Sequence, residues 1–318
     1  MPEDFGRRFF LFVDTEEEFD WSAPRSREAD AVTAVAMLPE GHARFTRFGV
    51  TPTYLIDYPI ANNPASAAVM ASFVADGTAV VGAQLHPWVN PPFDEVISNA
   101  NSFVGNLPEA QERAKLVALT ERIEAMVGTR PLAYRAGRYG IGANSARLLI
   151  EQGYRLDVSI RSLFDYRAEG GPDFSAYPSW PWWIDSAHRL LELPLTAAYT
   201  GGLRRHGPAL FPSSAALPLA RAVLARAGLL QRVALTPEGM PLRDVLHALE
   251  ILVGEGVELF SLSFHSPSLR PGHTPYVRDA AELKLFWRWW HGVFDFFARH
   301  DILNASPSDL IAAAERSG

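Results

Sequence analysis

The sequence predicts an α/β fold with the strand and helix order of a (β/α) barrel, and three observations carry that expectation. Short apolar, β-rich runs alternate with helical periodicity through the first half of the chain, the sequence form of βαβ units around a parallel sheet. The 318 residues, 48% of them apolar, are enough to bury one large core. Four polar clusters each follow a predicted strand directly, at the end where barrel enzymes assemble their sites.

Phe9 to Val13 (FFLFV) reads as the first strand. A helical stretch over 31–48 stops at Gly49 and leads to TPTYLI at 51–56, the second strand. Asn63-Pro64 opens a helix that ends near Gly77, and Ala79 to Leu85 is the third strand. A Pro/Asn-rich loop then crosses to a charged, periodic helix at 108–127. The fourth strand is the LAY before Arg135, and after another helix YRLDVS at 154–159 makes a fifth. From about 160 to 235 tryptophans, prolines and glycines replace clean periodicity (WPWWID, LLELPL, HGPALFP), so this span is expected to be an insertion that shapes a cleft wall. A helix at 241–254, the strand VELFSLSF at 257–264 and a long aromatic helix at 278–299 complete the order. No internal repeat, linker or low-complexity tract interrupts it, and residues 1–318 read as a single domain.

Composition removes several function classes. The chain has no cysteine, so disulfide frameworks, thiolate metal sites and cysteine nucleophiles are excluded, and any metal must be held by His, Asp, Glu or Asn. The formal charge is −7, Lys115 and Lys284 are the lysines, and there is no basic cluster, so no nucleic-acid partner is expected. MPEDFGRR runs straight into FFLFV without the pattern of a secretory signal, and no run reaches the roughly 18 apolar residues of a membrane span. A cytoplasmic location is the resulting expectation. The markers of serine esterases (G-x-S-x-G), zincins (H-E-x-x-H) and P-loop enzymes are missing, and Gly140-x-Gly142 lacks the third glycine of a dinucleotide loop.

The first polar cluster is Asp14-Thr15-Glu16-Glu17-Glu18. Residues two apart at a strand end project to one side, so Asp14 and Glu16 can converge on one cation, which would also relieve the repulsion within the run. The second, LHPWVNPPF, places His86 at a strand end and Asn90 four residues on, an imidazole and an amide oxygen for one coordination shell. The plainer alternative is a loop histidine stacked on Trp88. In the third, YRAGRYG, the Arg135 guanidinium can hold a carboxylate ionised and Tyr139 can line a cleft. The fourth, SLSFHSPSL, offers His265 as a general acid, in competition with His273 in PGHTPY. Asp157, Glu192 and the WPWW tryptophans read as structural or as cleft wall.

Together these residues resemble the polysaccharide deacetylase (NodB-homology) superfamily, and DTEEEFDW, LHPW and FHSPSL resemble its WalW-like branch. The resemblance spans most of the chain. It implies a distorted (β/α) barrel and metal-dependent hydrolysis of an N-acetyl group on an amino sugar or glycan precursor. It also implies Asp14 as base, Glu16 (with Glu17 as the other option) and His86 as metal ligands, Arg135 as support of the base, and His265 as acid. Asn90 stands where the family has a second metal histidine, the acids are spaced Asp-x-Glu instead of adjacent, and Gly137 replaces a common proline. The cofactor expected is a divalent metal ion, zinc by first choice. Trp88, Tyr139 and Trp182 are the aromatic faces expected to meet a carbohydrate or small-molecule substrate. Two other functions suit the same residues: a non-sugar amide or imide hydrolase, and a non-catalytic glycan-binding relative whose metal site has decayed.

Overall fold

The computed structural model of the chain describes residues 1–213 and 218–317. The predicted strands are present: β1 (Arg8–Thr15), β2 (Thr53–Ile56), β3 (Val80–Leu85), β4 (Ala133–Ala136) and β5 (Leu156–Asp157). The chain then adds β6 (Trp182–Trp183), β7 (Leu191–Glu192), β8 (Ala197–Thr200) and β9 (Gln231–Ala234), so that the late core strand Leu259–His265 is β10, and Leu303–Asn304 is β11. Strands β10, β1, β2, β3, β4, β5 and β7 lie side by side and parallel, with β6 antiparallel on β7 and β11 parallel to the start of β1. The sheet curls into a half-barrel whose far side returns to β10: the Thr196 N–H donates to Ser261 O at 3.2 Å, and the Ser263 N–H to Leu235 O at 3.3 Å. This mixed α/β half-barrel is the architecture the alternating pattern predicts.

The span expected as an insertion does more than decorate. Leu191, Leu193 and Leu195 are buried, and β7 continues the parallel sheet beyond β5, while β8 and β9 pair as a separate ribbon. Strands of two residues have no periodicity to read, which is why LLELPL did not announce itself as core.

Alternation along each strand sorts the core. Phe9, Leu11 and Val13 face the outer helices with Phe260, Leu262 and Phe264 of β10. Phe10 and Phe12 belong to a second cluster with Leu55, Ala133, Leu156 and Leu259, closed at one end by Leu310, Ile311 and Ala314 of the last helix. The interior of the barrel is therefore filled with side chains below its carboxyl ends, and the position that follows Phe10 and Phe12 on the same face is Asp14. Gly82 belongs to this crowded interior: a Cβ there would lie 2.6 Å from a Leu55 methyl and 2.7 Å from Ala133 O.

The helices follow the sequence signals. Asn63 caps Pro64–Ala75 by accepting from the N–H groups of Ala65 and Ser66, and Asp279 caps Ala280–Arg299 through Ala281 and Glu282. The aromatic helix Ala280–Arg299 lays Trp290 and Phe294 against Phe45 and Phe264. Among the described residues no helix is long and apolar enough to cross a membrane.

Candidate active site

Parallel register, which no sequence pattern states, assembles the site. Asp14 of β1 is the direct partner of His265 on β10, and Gln84 of β3 is the partner of Arg135 on β4. All four residues line one cavity of about 340 Å³ at the carboxyl ends of the strands, together with Glu16, His86, Trp88 and Tyr139. Of the residues predicted from sequence, the structure thus brings Asp14, Glu16, His86, Trp88, Arg135, Tyr139 and His265 to one place.

Asp14 is buried and its Oδ1 accepts from Arg135 Nη1 at 2.5 Å. Arg135, equally buried, is held by its Nε donating to Val158 O at 3.0 Å. The other Asp14 oxygen, Oδ2, lies 3.7 Å from His265 Nε2. On its far side the His265 ring is 2.6 Å from Glu238, through Nδ1 and Oε2. Glu238 Oε1 also accepts from the His265 backbone N–H at 3.0 Å and from Ser268 Oγ at 2.7 Å, so its position is over-determined. Burial opposes a charge on His265, but the carboxylates of Glu238, Glu16 and Asp14 outweigh it and push the imidazole pKa up to about 10. His265 is a cation at neutral pH, with its Nε2–H toward Asp14 and the cavity.

Glu16 and Glu17, open alternatives in the sequence, separate cleanly. Glu17 sits behind His86: its Oε2 is 2.7 Å from His86 Nδ1, its Oε1 accepts from Trp88 Nε1 at 2.8 Å, and its backbone N–H donates to Asp57 Oδ2 at 2.7 Å. Glu16 faces the cavity with Oε2 3.1 Å from Gln84 Nε2 and 3.5 Å from His86 Nε2. Burial is the main reason its carboxyl is raised to about 8, with the neighbouring Glu17 and Asp14 adding to the shift against the pull of His265 and His86. Burial likewise lowers the His86 pKa, against the pull of the Glu16 and Asp57 carboxylates.

Whether these side chains suit a metal can be asked of their unspent atoms. Glu17, Asp57 and His86 present ligand atoms within 4.8 Å of one another and could hold an ion. Asp57, however, is occupied by the N–H groups of Glu17 and Ile60, and Glu17 by His86 and Trp88. The cavity face is freer. Glu16 Oε1 and Gln84 Oε1 are buried without a hydrogen-bond partner, and with a carboxylate on Nδ1 the His86 Nε2 is left as the acceptor, met in this arrangement by Gln84 Nε2 at 3.2 Å. Glu16, His86 and Gln84 form an O/N donor set that fits a borderline divalent ion.

Asn90, expected as a ligand, is placed elsewhere. Its Nδ2 donates to Pro91 O at 2.7 Å and Lys115 O at 2.9 Å, pinning the loop to the helix Glu109–Val127, and it does not line the cavity. A spacing of four residues places two side chains on one face in a helix, but after His86 the chain is a loop. Gln84 is the residue that shares His86's face, two positions back along β3. Trp182 also lies outside, on β6 opposite Glu192. His273 is 3.1 Å from Glu18 in a separate surface cleft. Asp157 and Glu192 are buried in the wall as expected, both raised in pKa chiefly by burial.

Glu238, Gln84, Arg25 and Arg161 line the cavity and were not singled out from the sequence. Period-two reading from His86 would have found Gln84, and Glu238 and Arg161 both come shortly after short β-rich runs, the position used for the other four clusters. The YRAGRYG turn is special in backbone as well: Arg138 and Tyr139 have φ of 56° and 59°, a left-handed pair that turns both side chains into the cavity. Gly137 is required by its neighbour, because a Cβ there would lie 2.3 Å from His86 Cδ2 and 2.6 Å from Leu85 O. Gly137→Ala is accordingly expected to lower the unfolding free energy by about 1–3 kcal/mol, the usual cost of overpacking, and to displace the His86 ring. Urea denaturation checks this; an unchanged midpoint would show that the ring has room to move.

No protein-family model matches the sequence, and no curated protein matches it. Solved structures do match its fold. A protein described as a polysaccharide deacetylase from Mycobacterium smegmatis is 15% identical with a TM-score of 0.54, over 98% of this chain and 92% of that one. A second, described as a polysaccharide deacetylase from Pseudomonas aeruginosa PAO1, is 16% identical with a TM-score of 0.52, over 98% and 91%. An allantoinase is 16% identical with a TM-score of 0.55, again over 98% and 91%.

Proposed function

For a chain with the (β/α) barrel fold of the polysaccharide deacetylases, we propose a metal-dependent amide hydrolase that removes N-acetyl groups from an amino sugar or glycan precursor. The observation that carries this reading is the opposed pair at the cavity floor: Asp14 on Arg135, and His265 on Glu238, with 3.7 Å between the facing atoms of Asp14 and His265. One group is a carboxylate held ready to accept a proton, the other a cation ready to give one, and amide hydrolysis needs both in sequence.

Asp14 Oδ2 takes a proton from the attacking water as its oxygen adds to the amide carbon. Arg135, fixed to Val158 O, donates to Asp14 Oδ1 and keeps the carboxylate in place with Oδ2 left for the water. When the C–N bond breaks, His265 Nε2–H protonates the departing nitrogen, and Glu238 stabilises the imidazolium until that moment. Glu16, His86 and Gln84 would hold a divalent ion, zinc by the chemistry of the donor set. When bound, such an ion polarises the carbonyl and acidifies water. Trp88 and Tyr139 present aromatic surface to a ring-shaped substrate.

A second hydrolytic reading, a non-sugar amide or imide, is favoured by the allantoinase, which matches the fold over as much of the chain as the deacetylases do. The deciding experiment combines elemental analysis of protein purified without chelator, for wild type and His86→Ala, with a panel of N-acetylated amino sugars and cyclic amides. Near-stoichiometric divalent metal lost in His86→Ala, with acetate released from the sugars, is the expected result. Opening of cyclic amides alone would move the assignment to the second reading. Sugar binding with neither metal nor turnover would make the chain a binding protein.

A further inference from the structure

The cavity holds more guanidinium charge than its own carboxylates answer. Asp14 is paired with Arg135, Glu169 with Arg138, and Glu238 with His265. Of the acids that line the cavity only Glu16 then remains, against two arginines, Arg25 and Arg161, neither of which has a carboxylate within ion-pair distance among the described residues. The surplus persists with Glu16 fully ionised.

Both arginines are held in place by aromatic faces instead of by acids. The Arg161 guanidinium lies 3.9 Å from the Phe164 ring centroid and 5.6 Å from that of Tyr139, and Arg135 approaches the same Tyr139 ring at 5.6 Å. Arg25 lies 4.5 Å from the Phe19 centroid and 5.2 Å from that of Trp88. Stacking fixes a guanidinium in orientation without spending its edge N–H groups, and of these Arg161 turns one toward the Tyr166 hydroxyl. Three such nitrogens are buried without a hydrogen-bond partner around this cavity: Arg25 Nη1, Arg135 Nη2 and Arg161 Nε. Buried donors left over in a folded chain call for an acceptor, and a planar or tetrahedral oxyanion accepts two or more at once.

We propose that the substrate carries an oxyanion, a carboxylate or a phosphate, and that Arg161, assisted by Arg25, is the residue that selects it. The inference rests on the hydrolase reading of the same cavity. It narrows the substrate from a neutral amino sugar to an acidic one, and it places the acidic group on the Tyr139 side of the reacting amide. Arg161 follows β5 closely and is fixed by its bridge with Leu195, so the selecting arginine belongs to the barrel wall, while Arg25 comes from the loop after β1.

The test uses three probes that share the N-acetyl group: N-acetylglucosamine, its 6-phosphate, and N-acetylmuramic acid, which adds a carboxylate. Affinities are measured calorimetrically on the full-length chain and on Arg161→Gln and Arg161→Lys, and amine release is followed in parallel. An anionic probe is expected to bind at least about tenfold tighter than the neutral one, the worth of one charge-assisted hydrogen bond. That advantage should vanish in Arg161→Gln, survive in part in Arg161→Lys, and shrink with added salt. The phosphate and carboxylate arms distinguish the two oxyanions. Equal affinity for all three probes, an advantage untouched in a folded Arg161→Gln, or no binding of any probe would overturn the proposal. Arg161-dependent anion binding without amine release would refute the N-acetyl sugar reading and leave this one standing; release from neutral and acidic sugars alike would do the reverse.

Discussion

Asp14→Asn is expected to lower turnover by about 10²–10⁴-fold, the usual worth of a positioned general base. The asparagine keeps the volume and one oxygen for Arg135 Nη1 but cannot accept the water proton. Because Arg135 is then a buried guanidinium without its carboxylate, the variant also loses stability, in a class of change that costs about 3–5 kcal/mol when a pair is fully broken. Turnover must therefore be normalised to folded protein, with circular dichroism and urea midpoints recorded alongside. A folded Asp14→Asn that retains wild-type turnover would remove Asp14 from the base role and leave the Asp14–Arg135 pair as architecture.

The second large effect concerns Glu238, and it depends on pH. In the folded chain His265 is raised to about 10 from its ordinary 6.5, so it is a cation throughout the neutral range. Glu238→Gln removes the largest favourable charge on the ring and the ionic partner of Nδ1, leaving only Glu16 and Asp14 to sustain the imidazolium. The basic limb of the rate profile should move down toward the ordinary histidine value, giving a defect at least about tenfold larger near pH 9 than near pH 6. A defect equal at both pH values would mean that Glu238 positions the ring without charging it. The same shift has a sign for stability. Raised from 6.5 to about 10, His265 contributes stability that is fully present below the lower value and is lost as pH rises through the upper one. In Glu238→Gln the loss should set in at lower pH.

Much of the site was legible because strands have a period of two and barrels use their carboxyl ends. FFLFV fixed Phe10 and Phe12 as one face, and the residue continuing that face could only be Asp14; SLSF and AVVGAQL did the same for His265 and His86. Where the chain leaves regular structure, spacing stops carrying direction. Asn90 is an example: four residues beyond His86 in a proline-rich loop, it binds the carbonyls of Pro91 and Lys115 and never meets the cavity. Trp182 stood in a span with no periodicity at all, and β6 carries it to the outer edge of the sheet.

The sequence by itself determined the α/β alternation, the strands β1 to β5 and β10, the long helices with the Asn63-Pro64 start of one of them, and the residue types from which a metal-assisted hydrolase can be built. These follow from local periodicity, and local periodicity is a property of neighbouring residues. Only the tertiary structure decided which side chains meet: Asp14 across from His265, Gln84 across from Arg135, Glu238 behind His265, and Glu17 behind His86 while Glu16 faces the cavity. Parallel strands are joined through crossovers, so their register is set by packing of the whole barrel and not by any turn the sequence announces.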